Sequence, residues 1–281
     1  MISHSIIVPH YNRLANLNRC LVSIARSAER CGIEDYEVIV VNNGPQDPGF
    51  ALMPNVIYAM LPDKPATFNK PALQCCGILM AQGNVLTFLD ADALVPLWFM
   101  DNPEKLLRDP SLTKLCYRVR KLPEGAPDDQ STLFGNYNFY PRAMEAYRKP
   151  HTGWLPPFQE HRFIRDKEPV FGNSQFSITK EALGPVLPDP AFFCRGYEDI
   201  YFNLQIWAYH YQDYRAEMVT DADHALLHLP NPPDADAQWG GIQQGANENL
   251  YHSRWHRFQL LARKKRYREL RQFACETTIQ P

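Results

Sequence analysis

The sequence predicts an α/β fold, a mostly parallel central sheet flanked by helices. Short runs rich in Val and Ile alternate with longer stretches whose apolar residues recur at three- and four-residue steps. The runs are apolar nearly throughout, as strands buried on both faces must be. They end in polar turns carrying Asn and Asp, at the strand ends where open sheets of this kind bind ligands.

In order, Ser5-Ile6-Ile7-Val8-Pro9 is a β-branched strand, closed by Pro9 and the turn His10-Tyr11-Asn12-Arg13. Leu14, Leu17, Leu21, Ile24 and Ala28 then share one face of an amphipathic helix. Glu37-Val38-Ile39-Val40-Val41 is a second strand, stopped by Asn42-Asn43-Gly44-Pro45, and residues 55–60 form a third. A helix is expected over residues 72–82, with Gly83 as its C-terminal stop. Val85-Leu86-Thr87-Phe88-Leu89 then enters Asp90-Ala91-Asp92, after which the chain turns apolar again. Residues 122–129, rich in Pro, Gly and acid, read as a loop, and residues 137–165 as an irregular insert near the site. A strand-like segment over 170–178 leads to a short helix opening at Lys180. Cys194-Arg195-Gly196-Tyr197-Glu198-Asp199 feeds a helix through Leu204, Ile206, Trp207 and Tyr211, and the last stretch of about forty residues reads as helical and basic.

With 45% hydrophobic and 21% charged residues, the chain of 281 has a globular composition, enough for one large domain or two fused lobes. A net charge of −2 offers nucleic acid no general attraction. The charge is uneven, however: Arg254, Arg257, Arg263, Lys264, Lys265, Arg266, Arg268 and Arg271 stand against Glu269 alone. Seven scattered cysteines without a CxxC pair suit reduced thiols in a cytosolic protein. No signal peptide or bilayer-spanning run is seen, so a soluble cytoplasmic protein is expected, with the basic helix as its candidate contact to the inner face of a membrane.

Side chains alternate along extended backbone, so Asp90 and Asp92 are expected to point the same way. Carboxylates that close repel unless a cation lies between them, and a hard divalent ion with oxygen ligands is the usual partner. The competing reading is a strand-end turn with both carboxylates solvated. Glu198 and Asp199 have a plain alternative too, since the helix dipole favours acids in a first turn.

These pieces resemble, in order, the nucleotide-sugar-dependent glycosyltransferases of the Rossmann-like GT-A fold, family 2 in particular. The resemblance rests on the segments 5–13 and 38–44, Gly77 to Gly83, Leu89-Asp90-Ala91-Asp92, Gly172-Asn173 with Ile178-Thr179-Lys180-Glu181-Ala182-Leu183, and Gly196-Tyr197-Glu198-Asp199. The C-terminal half is similar to the galactosyltransferase-type region, with His228-Leu229-Pro230 at the place of a late metal-ligand histidine. It implies a GT-A domain over 1–250, with a nucleotide-sugar half (1–100) and an acceptor and catalytic half (101–250), then a basic helical extension over 251–281. Two departures stand out. Asn42-Asn43 replaces the family's Asp-Asp before Gly44, and Gln74-Cys75-Cys76-Gly77 replaces its Arg-Asn-x-Gly, leaving Asn69 or Lys70 as the substitute polar contact.

The resemblance also implies roles. Asp92 binds Mn²⁺ or Mg²⁺ across the donor's two phosphates, and Asp90 contacts that ion through water or holds the ribose. His228 completes the coordination, with His224 as its rival and a zinc-type helical pair of the two as the alternative. Pro9, Tyr11, Asn12, Arg13, Asn42, Asn43, Lys70 and Ala91 line a nucleotide-sugar donor, a UDP-sugar. Asp199 is the base for an acceptor hydroxyl on a glycan or lipid-linked saccharide, and Glu198 holds the acceptor or orients the helix. A single displacement with one base implies inversion. Trp154, Phe158, Phe171, Tyr197 and Trp239 either stack on sugar rings or pack, and Gly240-Gly241 with Gly245 suggests a loop closing over the donor. Two other functions compete: a haloacid dehalogenase-type phosphatase, which also carries Asp-x-Asp after a strand, and a nucleotide-sugar binder that has lost turnover.

Overall fold

The computed structural model describes residues 2–44, 53–61, 68–117, 119–121, 174–192, 197–219, 226–229 and 241–276. The loop and insert expected at 122–129 and 137–165, with Trp154, Phe158, Phe171, Gly172, Asn173, His224, Trp239 and Gly240, lie outside the described residues.

Parallel strands β1 (His4–His10), β2 (Tyr36–Asn42), β3 (Val56–Met60) and β4 (Val85–Phe88) form one half of the main sheet, in the order β3-β2-β1-β4. Beyond β4 the order continues β8-β6-β9, made by β6 (Lys114–Tyr117), β8 (Phe176–Thr179) and β9 (Ala216–Val219). Strand β8 runs antiparallel to both neighbours, whereas β6 and β9 are parallel. A small second sheet joins β5 (Ala93–Leu94), β10 (Leu226–His228) and β7 (Val119–Lys121).

The near-continuous apolar runs are explained by burial on both faces. Ile6, Val8, Val38, Val40, Val85 and Leu115 enter one core, beneath α1 (Leu14–Cys31) and α3 (Pro103–Arg108). Their neighbours Ile7, Ile39, Val41, Leu86, Phe88 and Cys116 point the opposite way, into a core covered by α2 (Lys70–Met80) and α5 (Glu198–Tyr209). Each such aliphatic side chain contributes about 2 kcal/mol by leaving water. The short helix α4 (Lys180–Leu183) opens where expected, its Thr179 hydroxyl accepting from the Ala182 amide at 3.0 Å.

Helix α2 departs from expectation at both ends. It starts at Lys70, because the Asn69 side chain caps it by accepting from the Ala72 amide at 3.1 Å. It stops at Met80, where Ala81 turns extended, so Gly83 is not its cap. Gly83 instead allows close backbone passage: a Cβ there would lie 2.6 Å from the His4 carbonyl carbon.

The C-terminal helices α6 (Gly241–Arg263) and α7 (Tyr267–Ala274) share a third core with α5, built from Phe192, Tyr201, Leu204, Trp207, Tyr251, Phe258 and Phe273. Gly241 and Gly245 therefore belong to a helix rather than to the expected loop. Several basic residues of this region are engaged: Arg254 with Asp189 and Arg257 with Glu276, both at 3.5 Å, and Arg266 with Glu269. The described cysteines, Cys20, Cys31, Cys75, Cys76, Cys116 and Cys275, are free thiols, and no described helix is long and apolar enough to cross a membrane.

Candidate active site

The ends of β1, β2 and β4 and the starts of α2 and α5 bring most of the sequence-predicted residues together. Strand β4 ends at Phe88, and the Ala93 amide bonds back to the Asp90 carbonyl at 3.0 Å, closing a turn over Ala91 and Asp92. The chain is no longer extended there, so strand alternation does not govern where Asp90 and Asp92 point. They take different partners.

Asp90 is held from three sides. Ser174 Oγ and Gln175 Nε2 both donate to its Oδ2, and its own amide donates to Gln175 Oε1 at 2.9 Å. Its Oδ1 lies 2.7 Å from Lys70 Nζ, and the same ammonium lies 2.9 Å from Asp199 Oδ2. Burial pushes the Asp90 carboxyl up, but Lys70, Ser174 and the nearby His228 outweigh it and hold the group below the usual aspartate value. Burial likewise opposes the Lys70 charge, yet Asp199, Asp90 and Glu198 keep that ammonium above the ordinary lysine value. For Asp199, burial wins: with Asp90 adding a like charge, its carboxyl stands above the normal value despite Lys70. Both carboxylates keep 24% of their side-chain surface exposed.

Asp92 meets a different set. Arg13 Nη1 donates to its Oδ2 at 2.6 Å. The pairing of Ala93 with His228 across β5 and β10, and the Leu229 amide on the Asp92 carbonyl at 2.8 Å, bring His228 alongside. His228 Nε2 lies 3.3 Å from Asp92 Oδ1. That contact is within ion-pair distance but misaligned as a hydrogen bond, and among the described residues no donor reaches the buried Oδ1. His228 Nδ1 faces the Leu229 carbonyl at 2.8 Å, and a carbonyl only accepts, so Nδ1 carries hydrogen. In a neutral ring Nε2 then presents a lone pair to a carboxylate oxygen, an arrangement that calls for a proton or a cation between them. Oxygen and imidazole nitrogen suit Mn²⁺, so the pair fits the expected metal. Among the described residues, no three His, Cys, Asp or Glu side chains converge on one point, so a cation here would need ligands from a bound molecule or water. His228 lies on a strand, which rules out the helical zinc-type pair with His224.

The remaining residues form the wall beside these two groups. Asn12 is exposed after β1 with φ 53°, and Tyr11 and the Asn12 amide press against Gly44, where a Cβ would lie 3.0 Å from the Tyr11 ring. Pro9 is buried within β1 and Ala91 within the turn. Asn42 is turned inward: its Oδ1 accepts from the Gly44 amide at 2.9 Å and its Nδ2 donates to Tyr58 Oη at 2.8 Å. Asn43 is buried, its amide reaching the His10 carbonyl at 3.4 Å. Glu198 is half-buried beside Asp199. Tyr197, at φ 67° before α5, lies with its ring 5.1 Å from that of Tyr251 on α6, so it packs against protein. Ser174 and Gln175 are the residues sequence reasoning missed, and their only signal was their place just before β8, the neighbour of β4.

Residues 5–53 match the family described as Glycosyl transferase family 2. Among solved structures, S. aureus TarS 1-349 aligns with 81% of this chain and 60% of its own length at 14% identity and a TM-score of 0.51. The same fragment in complex with UDP aligns over 83% of this chain and 62% of its own, at 16% identity and a TM-score of 0.51. The chain thus spans less than two thirds of that fragment. No curated protein matches the sequence. The fold is GT-A, with an opening segment of the family 2 kind.

Proposed function

We propose that this chain is an inverting, metal-dependent glycosyltransferase that moves a sugar from a nucleotide-sugar, a UDP-sugar, to a hydroxyl of a glycan or lipid-linked saccharide. One observation carries the reading: Asp90, Asp92 and Asp199 gather at the carboxyl edge of the parallel strands, each against a cationic side chain. The family 2 match over the opening segment and the likeness to a fold solved with UDP support it.

In this reading Asp92 and His228 hold Mn²⁺ or Mg²⁺, which when bound neutralises charge on the leaving diphosphate. Arg13 adds a positive charge beside it, and Asp90 fixes the turn. The acceptor hydroxyl needs a proton acceptor because an alcohol is a poor nucleophile at neutral pH. Asp199, raised by burial yet exposed in part, is suited to take that proton as the new bond forms. Glu198 orients the acceptor from the same helix turn. The galactosyltransferase-type likeness of the C-terminal half rests here on His228. Exposed Arg263, Lys264, Lys265 and Arg268 at the α6–α7 junction are proposed to meet an anionic membrane surface, which vesicle sedimentation with and without phosphatidylserine tests.

A panel of UDP-sugars assayed for slow Mn²⁺-dependent hydrolysis tests the enzyme reading. At least one sugar is expected to turn over, with Asp199→Asn about 100-fold slower or worse. Full activity in Asp199→Asn would rule it out as the base.

A further inference from the structure

We propose that Lys70 is the positioning residue of the base: one buried ammonium, shared by Asp90 and Asp199, ties the donor-side carboxylate to the acceptor-side one and fixes which oxygen of Asp199 meets the acceptor. This rests on Asp199 being the base, as argued above. Lys70 is only 5% exposed, and its Nζ reaches Asp90 Oδ1 at 2.7 Å and Asp199 Oδ2 at 2.9 Å.

Nothing in helix formation explains a lysine there. It occupies the first turn of α2, where the dipole disfavours a cation, and no acid in that turn offsets it. Burial disfavours it again. The two carboxylates compensate, so the position answers to the site rather than to the helix.

Helix α2 is a rigid mount for this contact. Asn69 caps it and donates from Nδ2 to the Pro190 carbonyl at 3.1 Å, while Gly77 lets it press on β1, with Ile7 Cγ2 only 2.5 Å from where a Cβ would sit. With Oδ2 of Asp199 held by Lys70, Oδ1 is the oxygen that receives the acceptor's proton. That proton transfers as the acceptor oxygen bonds the anomeric carbon and the anomeric carbon–phosphate oxygen bond breaks, its electron pair leaving with the diphosphate.

The charged groups that face Asp199 are Lys70 from α2 and Asp90 from the turn after β4, with Glu198 next to it on α5. Among the described residues, removing Lys70 therefore leaves Asp199 facing like charge, and the base becomes harder to ionise.

The test uses the full chain with Lys70→Met, Lys70→Gln and Lys70→Arg. Hydrolysis of UDP-glucose, UDP-galactose or UDP-N-acetylglucosamine is followed against pH, and UDP binding with Mn²⁺ is measured by calorimetry. In Lys70→Met the acidic limb of kcat/KM is expected to move up by about one pH unit or more. At pH 7 kcat should fall about 100-fold, with the Kd for UDP changed less than about threefold. Lys70→Gln, which keeps a hydrogen-bond donor without charge, should shift the limb the same way and stands in if Lys70→Met does not fold. Lys70→Arg should leave the limb in place. An unmoved limb, or a loss carried by UDP affinity alone, would overturn the proposal and make Lys70 a donor ligand. If the wild type hydrolyses none of the three sugars, the transferase reading fails. The tie is then judged by carboxyl ¹³C NMR, with the Asp199 signal assigned from Asp199→Asn. A higher titration midpoint in Lys70→Met supports the tie, and an unchanged one refutes it.

Discussion

On one side of the turn after β4, every oxygen of Asp90 has a partner: Ser174, Gln175 and the Lys70 that also holds Asp199. On the other side, Asp92 gives one oxygen to Arg13 and keeps the second buried beside His228 without a donor. The two carboxylates are two positions apart in one motif, yet one is saturated and the other has spare capacity. A saturated carboxylate fixes geometry. One with a donorless oxygen has room for a further partner. The motif thus divides its labour between a fixed inner arm and a receptive outer arm.

The largest effect that would break this contrast comes from the inner arm. Lys70→Met leaves Asp90 and Asp199 facing each other without a cation and should cost about 3 kcal/mol, read from urea unfolding. A cost near zero would mean the inner arm is not held by charge. Gly77→Ala comes next: its Cβ would meet Ile7, which is fully buried, so α2 must shift, at about 2 kcal/mol. The Lys70 contacts should loosen with it, seen as lost amide-exchange protection at the start of α2.

The outer arm answers in the opposite sense. Arg13→Gln removes a charge that competes with any cation at Asp92, and should tighten Mn²⁺ binding to the ligand-free protein by about three- to tenfold, measured by electron paramagnetic resonance. Weaker binding would mean that Arg13 supports the cation site rather than opposes it.

How far the fold could be read in advance differs between these regions in the same way. Strands β1, β2 and β4 and helix α1 were legible because burial on both faces leaves continuous apolar runs and burial on one helix face leaves a 3.6-residue period. The site's residue types were legible too, since Asn and Asp cluster at strand ends. Their directions were not. Alternation along a strand does not reach Asp90 and Asp92, because the strand ends at Phe88 and a turn bond joins Asp90 to Ala93. Gly83 looked like a helix stop, whereas its need is close passage by His4, a contact between segments distant in sequence. Ser174 and Gln175 are neutral and aperiodic, so only the β4–β8 pairing identifies them. For Lys70, nothing local shows that two acids distant in sequence meet it.

The smallest effect lies in acid stability, where the inner pair act against each other. Asp90 has a lowered carboxyl, so its stabilisation is complete above its unfolded value of 3.8 and is lost as pH falls through the folded value. Asp199 has a raised one, so its contribution is complete below 3.8 and is lost as pH rises through the folded value. Asp90→Asn should therefore reduce the loss of urea midpoint below pH 3.8, and Asp199→Asn should raise the midpoint at neutral pH relative to pH 3. Matching profiles for the two variants would erase the distinction.

The receptive outer arm is tested most directly by calorimetric titration of UDP into the full chain with Mn²⁺ and with EDTA, for the wild type and Asp92→Asn. The account predicts binding that requires Mn²⁺ in the wild type and is lost in Asp92→Asn. Equal UDP binding with and without metal, unchanged by Asp92→Asn, would contradict it.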